Sequence, residues 1–71
     1  MNPETIDVQV NGEAQRVPPG QSVAALLAWL GLPTERVAVE LNKSIVRKRD
    51  WAATFVERGA CVEIVEFVGG G

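Results

Sequence analysis

In only one stretch of this chain do apolar residues recur at helical spacing. Val23, Leu26, Leu27 and Leu30 stand at i, i+3, i+4 and i+7 and share one face of a helix predicted over Val23 to Leu30. Its limits are set by the neighbouring residues. Ser22 is placed to cap its free N–H groups, Gly31 to end it, and Pro33 prevents its resumption. Pro18-Pro19-Gly20, just upstream, can neither donate ladder hydrogen bonds nor continue a strand, so the chain is redirected before the helix begins. A single short helix must bury its apolar stripe against something else, and the rest of the chain is patterned as strands.

Ile6, Val8 and Val10 alternate with Asp7 and Gln9, the period of a strand with one buried face. Asn11-Gly12 follows, a dipeptide that tolerates the positive φ of a tight two-residue turn, so Ala14 to Val17 is expected to pair back antiparallel. Val37, Val39 and Leu41 alternate in the same way, and Asn42-Lys43 turns into a brief strand over Ser44 to Val46. Asp50 is positioned to cap one helical turn through Trp51 and Ala52. Glu57-Arg58-Gly59 then reads as a turn into the longest strand, Ala60 to Val68. The order predicts an α+β roll, a mixed sheet of four to five strands covered on one face by one main helix.

Size and composition limit what such a roll can do. Seventy-one residues hold one core and leave little room for an enclosed active site. Histidine is absent, which removes the commonest general base and metal ligand, and the one cysteine, Cys61, has no partner for an internal disulfide, a zinc knuckle or a redox pair. A net charge of −2 gives no electrostatic footprint for nucleic acid. The polar N-terminus lacks the pattern of a signal peptide and no apolar run approaches membrane-spanning length, so a cytoplasmic protein with neither nucleic-acid nor membrane partners is expected. The acids Glu57, Glu63 and Glu66 show no pairing for acid-base catalysis.

The early Val-Asn-Gly hairpin, the Pro-Gly-Gln-Ser-Val approach to the helix, Leu41-Asn42-Lys43-Ser44-Ile45-Val46 followed by Trp51, and Gly59 leading to Val68-Gly69-Gly70-Gly71 together resemble the sulfur carrier proteins of thiamine biosynthesis, the ThiS family. The resemblance runs nearly end to end, with Arg47 where the family often has proline and Gly69 ahead of its terminal Gly-Gly. It implies a ubiquitin-like β-grasp domain over residues 1–68 and a flexible tail over 69–71. It also implies a protein co-substrate rather than an enzyme, with no catalytic residue, metal or bound cofactor of its own. In the family, a ubiquitin-activating-like adenylyltransferase spends ATP to adenylate the terminal glycine, here Gly71. Sulfur from a persulfide donor, a cysteine desulfurase, then gives a thiocarboxylate, and thiazole synthase accepts the sulfur. Other sulfur carriers with a similar tail remain open on the same motif: the small subunit of molybdopterin synthase, or a carrier for tRNA or cysteine sulfur. A different class is a noncovalent β-grasp interaction module.

Glycines suit such a tail on physical grounds, because a residue without Cβ enters a narrow channel and adopts any φ a partner requires. A glycine run taken alone reads first as a frayed terminus or an expression scar, and only its place directly after a long apolar strand, on a fold of this size and order, reverses that reading. Along the last strand, Val62 and Ile64 are expected to meet the helix, which turns Cys61, Glu63, Val65 and Phe67 the other way. Val65 and Phe67, with Val68 beside the tail, form either part of a docking patch for the partner enzymes or a minor second core under the Trp51 loop, where Trp51 is expected to cluster with Phe55 and Val56. Trp29 lies off the leucine stripe and should be partly exposed, and Lys43, Arg47, Lys48 and Arg49 read as a solvated basic loop.

Overall fold

The structure, a computed structural model, describes residues 4–67. Five strands form one sheet: β1 (Ile6–Val10), β2 (Glu13–Val17), β3 (Val37–Leu41), β4 (Ser44–Val46) and β5 (Cys61–Glu66), in the spatial order β2-β1-β5-β3-β4. The first and last strands run parallel at its centre, with Val10 beside Val62, and the other neighbours pair antiparallel. One helix, α1 (Val23–Leu30), covers one face. This is the β-grasp arrangement.

The helix begins and ends where the sequence predicts. Ser22 accepts a hydrogen bond from the Ala25 amide at 3.1 Å, and Gly31 adopts the left-handed conformation, φ 73°, that closes the last turn. Val23, Leu26 and Leu27 are fully buried against Val8, Val17, Val39 and Val62. With side chains alternating along each strand, these contacts fix which sheet face is covered and which is open.

Both hairpins turn on two residues with positive φ, Asn11-Gly12 at 51° and 83° and Asn42-Lys43 at 52° and 71°. Their backbone twist matches the flanking strands. Arg47, at the departure from the family pattern, has φ −67° and ψ 147°, within the range proline would impose, so the arginine leaves the path of the loop intact.

Two expectations need correction. The short helix is a 3-10 helix over Lys48–Ala53, capped by the extended Arg47 with no side-chain bond, so Asp50 lies inside it and its carbonyl accepts from the Thr54 hydroxyl at 2.8 Å. Among the described residues no second cluster forms around Trp51. Trp51 and Val56 join the main core, while Phe55 is 57% exposed. The reason is local. Val23 donates to the Thr54 carbonyl and Val56 to the Gln21 carbonyl, which holds the segment extended, and adjacent residues of an extended segment point opposite ways. Only one of Phe55 and Val56 can face the core.

Candidate docking face and tail-bearing strand

In sequence, β5 is followed by Phe67, Val68 and the three glycines, so what holds β5 bears on the segment just before the tail. The first half of β5 is fixed by both hairpin turns. Asn11 donates its amide to the Val62 carbonyl at 2.8 Å, and its side-chain oxygen accepts from the Ile64 amide at 2.7 Å. Asn42 brackets Cys61 from the other side, its amide donating to the Cys61 carbonyl at 2.7 Å and its Oδ1 accepting from the Cys61 amide at 2.9 Å. Asparagine suits both positions because it tolerates positive φ and still carries an acceptor. Sequence reasoning reads these residues as turn formers and misses the clamp, whose partners lie 53 and 19 positions away.

The second half of β5 is open. Val65 is 58% and Phe67 54% exposed, on the sheet face opposite the helix. The Phe67 amide still donates to the Arg36 carbonyl at 2.7 Å, so the backbone stays attached to the sheet as far as Phe67. Val65 stands opposite Ala38 on β3, and Ile45 on β4, 73% exposed, stands opposite Glu40. Val65 and Phe67 are thus surface residues, and the second-core reading does not hold. Val68, Gly69, Gly70 and Gly71 lie outside the described residues.

The remaining candidates fall elsewhere. Trp29 is half exposed on the helix. Lys43, Arg47, Lys48 and Arg49 are exposed; Arg49 approaches Asp50 at 4.0 Å, and the Lys48 ammonium lies 5.9 Å from the centre of the Trp51 ring. The Trp51 indole donates to the Val46 carbonyl at 2.9 Å, tying this loop to β4. Cys61 is exposed, its sulfur 4.0 Å from the Gln9 side-chain oxygen. Among the described residues no group of His, Cys, Asp and Glu side chains is arranged to hold a metal ion, and no helix is long and apolar enough to cross a membrane. Two shallow depressions of about 300 and 410 Å³ open on the surface, one against Leu41, Phe55 and Arg58 and one against Asp7, Gln9 and Cys61.

Comparison with known proteins matches residues 8–71 to the ThiS family. The crystal structure of the thiamine biosynthesis protein ThiS from Geobacter metallireducens superposes with a TM-score of 0.82 at 35% sequence identity, covering 93% of this chain and all of that one. A thiazole synthase of Paramagnetospirillum magneticum is 44% identical over 62 residues, which are 87% of this chain and 19% of the synthase. The chain thus spans about a fifth of the length of the thiazole synthases it matches. The uncharacterized protein ycf40 of Porphyra purpurea is 34% identical over 68 residues, 96% of both chains.

Proposed function

The chain belongs to the ThiS family, and from that premise we propose that it is a sulfur carrier of thiamine biosynthesis, a protein co-substrate that partner enzymes load at Gly71. The observation that carries the reading is the end of the described chain: an anchored strand on which Val65, and just beyond it Phe67, are exposed and apolar, followed in sequence by Val68-Gly69-Gly70-Gly71. Three extended residues span roughly 10 Å, enough to carry a carboxylate from the surface of the fold into a neighbouring active site. Val65, Phe67 and Val68 are the interface residues in this reading, and Gly69 and Gly70 the thread.

The chemistry follows from the weakness of a carboxylate as an electrophile. The Gly71 carboxylate attacks the α-phosphorus of ATP on the adenylyltransferase and expels pyrophosphate, giving an acyl adenylate. A persulfide sulfur from the cysteine desulfurase arm attacks the acyl carbon and expels AMP. A thiol then cleaves the resulting sulfur–sulfur bond, supplying the two electrons and leaving a thiocarboxylate and a disulfide. The thiocarboxylate is a soft nucleophile delivered by a tethered chain, so sulfur reaches thiazole synthase without release as sulfide. The names of the thiazole synthases and the thiamine biosynthesis protein among the relatives support this branch over the molybdopterin and tRNA carriers.

The reading requires a free carboxylate at Gly71. Intact-mass spectrometry after incubation with ATP, the cognate activating enzyme and a sulfur source tests it. Replacement of one oxygen by sulfur on the full chain, and not on a chain lacking Gly70 and Gly71, is the expected result. No adenylate and no sulfur gain, with the enzyme active on another carrier, favours a noncovalent interaction module.

A further inference from the structure

Asn11 is tied down at two points and yet carries the neighbour that best exposes an asparagine to loss of its side-chain amide. Its main-chain amide donates to the Val62 carbonyl at 2.8 Å and its Oδ1 accepts from the Ile64 amide at 2.7 Å, while Asn11 and Gly12 both stand exposed in the β1–β2 turn. The residue that follows an asparagine decides how readily the side chain is attacked, because the nucleophile is the next backbone nitrogen. Gly12 has no side chain to hinder it, and even the position a Cβ would take is open, with nothing within 4 Å. The other two asparagines of the chain lack this arrangement. Asn2 precedes Pro3, whose nitrogen carries no hydrogen, and Asn42 precedes Lys43. Asn42 is otherwise a twin of Asn11: exposed, with φ 52° against 51°, and with its Oδ1 accepting from the Cys61 amide at 2.9 Å.

We propose that Asn11-Gly12 is a site of spontaneous deamidation, gated by the clamp on β5, and that its isoaspartyl product releases that clamp. The Gly12 nitrogen gives its proton to solvent and attacks Asn11 Cγ. The new N–Cγ bond closes a succinimide as the Cγ–Nδ2 bond breaks and ammonia leaves. Water then opens the ring at either carbonyl, giving aspartate or isoaspartate. In the folded chain the Ile64 amide holds the Asn11 carboxamide against β5 and the Val62 carbonyl holds its main chain, so ring closure waits on local opening of the turn. The two products then differ. Aspartate keeps the backbone path, tolerates the positive φ and presents a carboxylate to the Ile64 amide, so the clamp survives. Isoaspartate routes the backbone through Cβ and Cγ. That adds a methylene to a two-residue turn that sets Val10 opposite Glu13, and it leaves the carboxylate one carbon nearer the chain, so neither the turn nor the acceptor stays in place. The turn that anchors the tail-bearing strand is thereby its point of chemical ageing, whether or not the chain carries sulfur.

The test is prolonged incubation of the full chain in neutral buffer, folded and in denaturing guanidinium, followed by intact-mass and peptide-mapping spectrometry and by hydrogen exchange on the separated products. The proposal expects conversion at Asn11 well ahead of Asn42 in the same molecules, and about a hundredfold more slowly in the folded chain than in the denatured one. The isoaspartyl fraction is expected to exchange its Ile64 amide about tenfold faster and to melt about 5 °C lower, whereas Asn11→Asp matches the wild type in both. Conversion of the folded chain at the denatured rate overturns the gating. No conversion at Asn11 in the folded chain, or conversion no faster than at Asn42, overturns the site. An isoaspartyl fraction whose Ile64 amide stays as protected as in the wild type overturns the release of β5, and all of these outcomes leave the carrier reading where it stands.

Discussion

The first half of β5 and the stretch from Val65 to Phe67 that follows it differ sharply in burial. From Cys61 to Ile64 the strand is held by two turn asparagines and buries Val62 against the helix; from Val65 through the end of β5 to the following Phe67 the backbone stays attached and the side chains are left to solvent. Val62 and Val65 are the same residue type three positions apart, one 1% and the other 58% exposed. The difference separates an anchored, buried stretch from an apolar surface stretch on neighbouring residues of one backbone path.

Substitutions that treat the two halves alike should therefore give unlike results. Val62→Ala is expected to have the largest effect, a loss of about 2.5 kcal/mol from buried area and the cavity left behind, which lowers the melting temperature by roughly 10 °C or more in a domain this small. Calorimetry or denaturant unfolding reads it directly. Asn11→Ala and Asn42→Ala come next, at about 1.5 kcal/mol each, since both the positive-φ conformation and the clamp on β5 suffer. The glycine variants at the same positions keep the conformation and lose only the side-chain acceptor, so they should retain about half of that loss; a glycine variant as stable as wild type would show that the clamp contributes nothing. Hydrogen exchange at the Cys61 and Ile64 amides should quicken in the same variants.

At the small end stand Val65→Ala and Phe67→Ala, each within about 0.5 kcal/mol of wild-type stability but with a raised KM for loading by the activating enzyme. A destabilisation as large as that of Val62→Ala would place these side chains in the core and erase the contrast. Unchanged stability with unchanged KM would keep the contrast and remove its functional meaning.

What was legible in the sequence was whatever local chemistry decides. The cap at Ser22, the stop at Gly31 and the turn at Asn11-Gly12 each rest on a few adjacent residues, and the structure has them as predicted. The exposure of Val65 and Phe67 was legible as one of two alternatives, because alternation says that they face away from Val62 without saying what lies there. Registers between distant strands were not legible from spacing. The asparagine clamp exists only once β5 has been inserted between β1 and β3. Phe55 stays out of the core for a like reason, since an aromatic residue beside a valine looks like core until backbone pairing with Gln21 and Val23 fixes which of the two faces inward; Asp50 differs for a local one, the start of the 3-10 helix at Lys48, which places it inside the helix and not at its cap.

The most direct test of the account is a single-turnover transfer. The chain is loaded with radiolabelled sulfur by its activating enzyme, freed of small molecules, and mixed with the cognate thiazole synthase and its other substrates. The account predicts that the label leaves the protein and appears in the thiazole ring in step with the appearance of product. Label that stays on the protein, or leaves only as free sulfide while unlabelled thiazole forms, would contradict it.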